Sequence, residues 1–254
     1  MEIMDLLSVL FRWLHIAAGI IWIGLLYFFN FVNAPFAGTM DGDTKKKVVP
    51  ELMPRALYWF RWGAAYTWVT GVLLLLLVFY HGGLMFEGDR GWDAGAIVML
   101  VVTFGAFALY DVLAKSALAK DLKVFGAVGF VLIAVITYLM INYGGYSYRA
   151  YVIHIGTMLG TIMAANVWMR IWPSQKKIIT AVKEGTAADP AVVALAGARS
   201  RHNTYMSVPL FWTMINMHTT VPAANSPLYL LASVLVGWLT VYLVFGKAGK
   251  IKGF

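Results

Sequence analysis

Seven apolar runs follow one another along this chain. The sequence predicts spans over Leu7–Phe31, Leu57–Tyr80, Ala94–Ala114, Leu122–Asn142, Arg149–Trp172, Thr204–His218 and Leu228–Phe245. A helix needs about 20 apolar residues to cross the hydrocarbon core of a bilayer, and every run but the sixth meets that length. The remaining composition agrees: 61% of the residues are hydrophobic and 13% charged, against about 25% charged in an ordinary soluble domain. The chain therefore reads as all-α, a polytopic bundle of about seven transmembrane helices and a single domain over residues 1–254. Residues 173–201 are expected as a cytoplasmic loop within it, with a short surface helix from Ala191 to Gly197. The sixth run is short. It is expected either to extend through polar residues buried against neighbouring helices or to kink at Pro209.

Charge sorts the ends of the spans. Lys45, Lys46, Lys47 and Arg55 follow the first, Lys115, Lys120 and Lys123 the third, Lys176, Lys177, Lys183, Arg199 and Arg201 the fifth, and Lys247, Lys250 and Lys252 the seventh. The intervening loops carry Glu87, Asp89 and Asp93 with only Arg90 and Arg149 as basic residues. Positive charge marks the cytoplasmic side, which predicts the N-terminus outside and the C-terminus inside. The net charge of +8 is then a topology signal, and no nucleic acid is expected as a partner. The N-terminus, with Glu2 and Asp5, lacks a signal-peptide pattern. There are no cysteines, which excludes disulfides, thiolate metal sites and covalent c-type haem.

Ionisable and amide side chains inside an apolar span are costly, and they are functional candidates by default. Four of the five histidines fall toward the outer leaflet: His15, His81, His154 and His218. His15 lies about 12 Å and His154 about 8 Å below that surface at 1.5 Å rise per residue. Two imidazoles at similar depth on different helices suit the axial positions of haem b, and Gly19, Gly156 and Gly160 leave room beside them. The same residues also suit plain packing, since Gly156 and Gly160 form a small-xxx-small pattern and a buried histidine can hydrogen-bond across a bundle. His218 is a further candidate ligand.

A second cluster gathers near the inner face: Asn30, Asn33, Asn166, Arg201, His202, Asn203 and Thr204. Amides, a guanidinium and an imidazole suit a planar, polar, anionic molecule. They also suit helix capping by Asn203 or Thr204 and lipid-headgroup binding by the arginines.

Three stretches carry a family likeness: HIAAGIIWIGLLYFFNFVN (His15–Asn33), HIGTMLGTIMAANVWMRIWPSQ (His154–Gln175) and RSRHNTYMSVPLFWTMINMH (Arg199–His218). Together they resemble the N-terminal membrane domain of the bacterial membrane-bound urate oxidase (urate hydroxylase) family. The resemblance implies a protein of the bacterial inner membrane linked to conversion of urate to 5-hydroxyisourate. It implies electrons passed to a cytochrome c or a quinone, in a possible larger membrane complex. Family members typically carry a C-terminal cytochrome c domain, and this chain stops after the seventh span. On this reading Arg201, Asn203 and Asn166 bind urate, and His202 is the general base, its unperturbed pKa being near 6.5. His15 and His154, or His218, hold haem b. The alternative is a haem-b electron-transfer or accessory subunit without urate chemistry.

Overall fold

The computed structural model describes residues 3–216, 218 and 226–251. These residues form helices and turns, with no strand among them. Seven long helices account for the seven runs. They are α1 (Ile3–Thr39), α2 (Gly42–His81), α3 (Ala94–Leu113), α4 (Leu122–Asn142), α5 (Tyr148–Glu184), α6 (Pro190–Asn216) and α7 (Pro227–Ala248). All but α6 are long and apolar enough to cross a membrane. The protein is thus a multi-pass, all-helical bundle. A bilayer offers no water to a backbone N–H or C=O, so a spanning segment must satisfy these groups internally, as helices do.

The helix starts are written in short polar side chains. Asp41, Asp93, Asp121, Ser147 and Ser226 accept backbone N–H bonds in the first turns of α2, α3, α4, α5 and α7. Such caps satisfy donors that have no partner within the helix. The bond from the Ala96 N–H, with the Arg90 guanidinium beside it, holds the Asp93 carboxyl below the usual carboxylate range. Gly185, at φ +72°, closes α5 in the left-handed conformation, which costs glycine no Cβ clash.

Two expectations are corrected. Residues 173–201 are not a loop: α5 runs on to Glu184 and α6 starts at Pro190, leaving 185–189 as the connection. The expected surface helix at Ala191–Gly197 is the first part of α6. α6 from there to its middle carries buried Ala196, Arg199, His202 and Asn203, so polar residues packed against neighbours lengthen the short run. Pro209 stays inside α6. A Cβ on Gly237 would come within 2.9 Å of Pro209 Cδ, so α7 packs closely against the proline ring. Likewise Lys45, Lys46 and Lys47 lie in the first turns of α2 rather than in a loop.

The core is organised on α5. Of its most apolar stretch 67% is buried, against 17–28% for the other five apolar helices. α5 packs on α6, α3, α2 and α4, while α1 pairs mainly with α2. α5 and α6 approach closely at Gly156, where any Cβ would overlap the Thr213 side chain. Gly156→Val should therefore force the two helices apart. Overpacking of this kind costs about 1–3 kcal/mol, and the expected readout is a lowered unfolding temperature in detergent.

Three helices contain a π-helical stretch: Phe28–Asn33 in α1, Leu75–His81 in α2 and Val167–Ile171 in α5. Wide turns of this kind re-aim the side chains that follow, and they are frequent at functional sites. Two of the three border the site described next.

Candidate functional site

One carboxylate sits where α3 meets α5 and α6. Asp111, next to the end of α3, receives Arg170 through two bonds, Nε to Oδ1 at 2.8 Å and Nη2 to Oδ2 at 2.6 Å. Arg199 Nη2 donates to Oδ1 at 2.8 Å, and Lys115 Nζ to Oδ2 at 2.5 Å. Three cations thus meet one anion. Paired, fork-shaped Arg–carboxylate geometry gives the strong form of this interaction. The arrangement follows from local structure. The π stretch after Asn166 carries Arg170 round to face α3, and the extension of α6 places Arg199 in the interior, where it is 1% exposed.

A hydrogen-bonded chain runs beside this cluster. Asn203 Nδ2 donates to the Met163 carbonyl, and Asn203 Oδ1 accepts from Asn166 Nδ2, each at 2.9 Å. Asn166 Nδ2 also donates to the Tyr110 hydroxyl at 2.9 Å, and that hydroxyl lies 2.9 Å from His202 Nδ1. The direction can be read along the chain. The Tyr110 oxygen accepts from Asn166, so its own proton is free to go to Nδ1, which places the imidazole hydrogen on Nε2. The Arg199 guanidinium lies over the Tyr110 ring, 5.0 Å from its centroid. Phe125 stacks on His202, with centroids 4.7 Å apart and planes at 19°.

His202 also lines a cavity of ≈ 570 Å³, in the range of small-molecule sites. Asn30, Lys120, Arg201 and Phe245 line it too. Arg201 is exposed and lies 5.4 Å over the Phe245 ring. Asn30 donates to Ser200 Oγ and to the Leu26 carbonyl, each at 2.8 Å. The cavity opens at the end of the bundle that carries the lysine-rich connections. Its wall is basic, and His202 is the lining residue that links it to Tyr110.

The structure thus brings Asn166, His202 and Asn203 together through Tyr110, and sets Arg201 apart at the cavity rim. Asn33 points elsewhere, toward Met53 Sδ at 3.7 Å. Asp111, Arg170, Arg199 and Tyr110 are the members that the motif reading does not single out as site residues. Asp111 had a signal available: it is an acidic residue inside the third apolar run.

The histidines expected to hold haem are not brought together. His15 Nδ1 donates to the Thr67 carbonyl at 2.9 Å, with Thr70 Oγ1 at 3.2 Å, on α2. His154 is fully buried. Its Nδ1 donates to the Ala150 carbonyl at 2.7 Å, and its Nε2 accepts from the Tyr80 hydroxyl at 3.0 Å. Ten residues of α2 separate Thr70 from Tyr80, about 15 Å along a helix, so the two imidazoles sit at different levels. The reason is that α1 begins at Ile3, which sets His15 deeper than the apolar run suggests. The space expected beside the glycines is filled: Gly19 faces Thr67, Gly156 meets Thr213, and Gly160 faces Leu210. A haem clamped between His15 and His154 does not fit this arrangement. His218 lies in an exposed turn, its N–H bonded to the Ile215 carbonyl at 3.1 Å. Among the described residues no three His, Cys, Asp or Glu side chains gather as a metal site.

The family described as urate oxidase N-terminal matches residues 34–250 of the chain. No curated protein and no solved structure matches it.

Proposed function

The chain belongs to the urate oxidase N-terminal family, and from that premise we propose that it binds urate in the cavity beside His202 and takes part in its oxidation to 5-hydroxyisourate. The supporting observation is the cavity wall itself. Lys120 and Arg201 line a space of suitable size next to a buried amide–phenol–imidazole chain. Urate is a planar anion at neutral pH, and a basic concave wall favours it electrostatically.

The reaction adds the elements of water and releases two protons and two electrons. With Nδ1 accepting from Tyr110, the His202 Nε2–H is a donor suited to an anionic oxygen. The general-base role expected of this residue requires the other tautomer, in which Nδ1–H donates to the Tyr110 oxygen. That oxygen has two lone pairs, so it can accept from Asn166 and His202 together. In that tautomer the Tyr110 proton, which Nδ1 no longer accepts, needs an acceptor of its own, and the general-base role rests on one being found. The electrons leave to a cytochrome c or a quinone, in a bacterial inner membrane, and the chain's histidines are assigned no haem between them.

The test uses the detergent-purified chain, urate, and a soluble quinone or cytochrome c as acceptor without oxygen. Urate loss matched by acceptor reduction supports the reading, and absorption spectra before and after urate record any haem that changes redox state. Neither binding nor consumption of urate, with either acceptor, would remove it.

In the same assay His154→Phe is expected to lower the unfolding temperature while leaving urate affinity within about twofold. The ring packs between Tyr80 and Tyr146 with centroids 5.7 and 4.9 Å away. Loss of its bond to Tyr80 leaves a phenol unpaired in the interior, which costs about 1–3 kcal/mol. A loss of urate affinity equal to that of a His202 variant would contradict this separation.

A further inference from the structure

Arg61 is a cation inside an apolar run, four residues past its start at Leu57. Its guanidinium lies among three rings, 4.1 Å from the Trp172 centroid and 5.7 Å from those of Tyr58 and Trp168. The rings are held in turn. The Trp168 indole N–H donates to the Arg61 carbonyl at 3.0 Å, and Trp168 meets the Trp62 ring edge-on with centroids 5.4 Å apart. Aromatic faces attract a cation, but they bring no oxygen to the five N–H groups of a guanidinium. Arg170 and Arg199 share the Asp111 carboxylate. Arg61 forms no ion pair among the described residues, and its Nε is buried without a hydrogen-bond partner. The residue as a whole is partly exposed, so the charge is reachable from outside the bundle.

A second cation stands beside it. Lys176 lies one turn beyond Trp172 on α5, its ammonium 5.6 Å from the centroid of the same ring. It is exposed and has no ion pair among the described residues. The two positive charges therefore lie within the distance of about 10 Å over which 0.1 M salt screens them. The surface next to them is aromatic. Tyr58, Trp59, Trp62 and Tyr66 are exposed and follow one another along one side of α2. In a membrane protein exposed Trp and Tyr gather at the level of the lipid headgroups, and basic pockets between membrane helices take anionic headgroups.

We propose that Arg61, with Lys176 adding to the positive field, binds the phosphate of an anionic phospholipid where α2 meets α5 at the basic end of the bundle. The acyl chains lie along Trp59, Trp62 and Tyr66. Arginine suits this task because its planar fork matches two phosphate oxygens while its face stacks on a ring. The aromatic surface beside the cations suits an amphiphile rather than a soluble anion. A lipid held there bridges α2 and α5. Arg61 lies outside the cavity beside His202, so this binding is separate from that of urate.

The experiment is equilibrium binding of phosphatidylglycerol, and of phosphatidylcholine with the same acyl chains, to the detergent-purified full chain, read by native mass spectrometry. The wild-type chain is expected to bind the anionic lipid about tenfold or more tighter, since one cation near an anionic headgroup is worth about fivefold. Arg61→Gln should cut that preference by about fivefold. Arg61→Lys should cut it less, because it keeps the charge and loses the fork. Lys47→Gln, 14 residues earlier on α2 and so about 21 Å away along the helix, should leave it unchanged. Equal binding of the two lipids by the wild-type chain overturns the proposal. So does an unchanged preference in an Arg61→Gln chain that elutes and melts as a folded species. Displacement of the bound lipid by an excess of glycerol 3-phosphate also overturns it, because the site would then serve a soluble anion.

Discussion

Asp111→Ala is expected to be the most damaging single substitution in the protein. It removes the anion shared by Arg170, Arg199 and Lys115. Lys115 is more than half exposed and can turn to water, and Arg170 is a quarter exposed. Arg199 has no such exit at 1% exposure. Removing one partner of a buried ion pair costs about 3–5 kcal/mol, because the other charge is left uncompensated. The expected result is a large fall in the yield of folded protein and in unfolding temperature, with Asp111→Glu retaining more than Asp111→Asn. A double substitution, Asp111→Leu with Arg199→Met, should recover much of the loss, since an apolar pair of similar volume is often neutral where an ion pair was. An Asp111→Ala chain as stable as the wild type would show that Arg199 finds another anion or reaches water.

His202→Ala should have the largest effect on function. The imidazole is the one group that belongs both to the cavity wall and to the buried Tyr110–Asn166–Asn203 chain. Its loss removes a proposed hydrogen-bond donor to the ligand, the stacking partner of Phe125 and the acceptor of the Tyr110 hydroxyl proton. Loss of a positioned acid or base commonly lowers a rate by about 10² to 10⁴-fold. The measurement is urate consumption under saturating acceptor, alongside helical content by circular dichroism. Urate turnover within twofold of wild type in a folded His202→Ala chain would place the chemistry elsewhere. Tyr110→Phe separates the two halves of the argument. It keeps the ring under Arg199 but leaves His202 Nδ1 without a donor, so turnover should fall while the Arg199–Asp111 pair holds.

The placement of the helices was legible because it depends on local chemistry. Apolar length, the aspartates and serines at the starts, and the alternation of basic connections all act within a few residues. The fourth span, Leu122–Asn142, coincides with α4, and the third ends within one residue of α3. Where the sequence reading departed, a polar run was taken for a loop. Residues 173–184 and 190–201 each turn one side to solvent, with Lys176, Lys177 and Arg201 exposed, and one side to the bundle, with Ser174, Ala196 and Arg199 buried. Hydropathy does not distinguish a side chain exposed to solvent from one paired inside a bundle.

The site shows the same limit. Asn166, His202 and Asn203 could be named from their types and their position near one end of two helices. Asp111 and Arg170 could have been named as charges within apolar runs, but not that they pair, because they lie 59 residues apart in the chain. The pairing of His15 with His154 rested on depth. It counted residues from the start of each apolar run, while α1 begins earlier and α2 sets the levels of His15 and His154 separately.

What the sequence by itself determined is that this chain is a bundle of membrane helices with a basic end and a cluster of hydrogen-bonding residues near it. Those properties follow from the cost of placing polar groups in hydrocarbon, which acts on each residue in turn. Only the tertiary structure decided which polar residues share a partner. The π turns, the long α6 and the close contact at Gly156 turn Arg170, Arg199, Tyr110 and Asn166 onto one another. Hydrogen bonds and ion pairs are short-ranged and directional, so no count of residue types along the chain could have placed them.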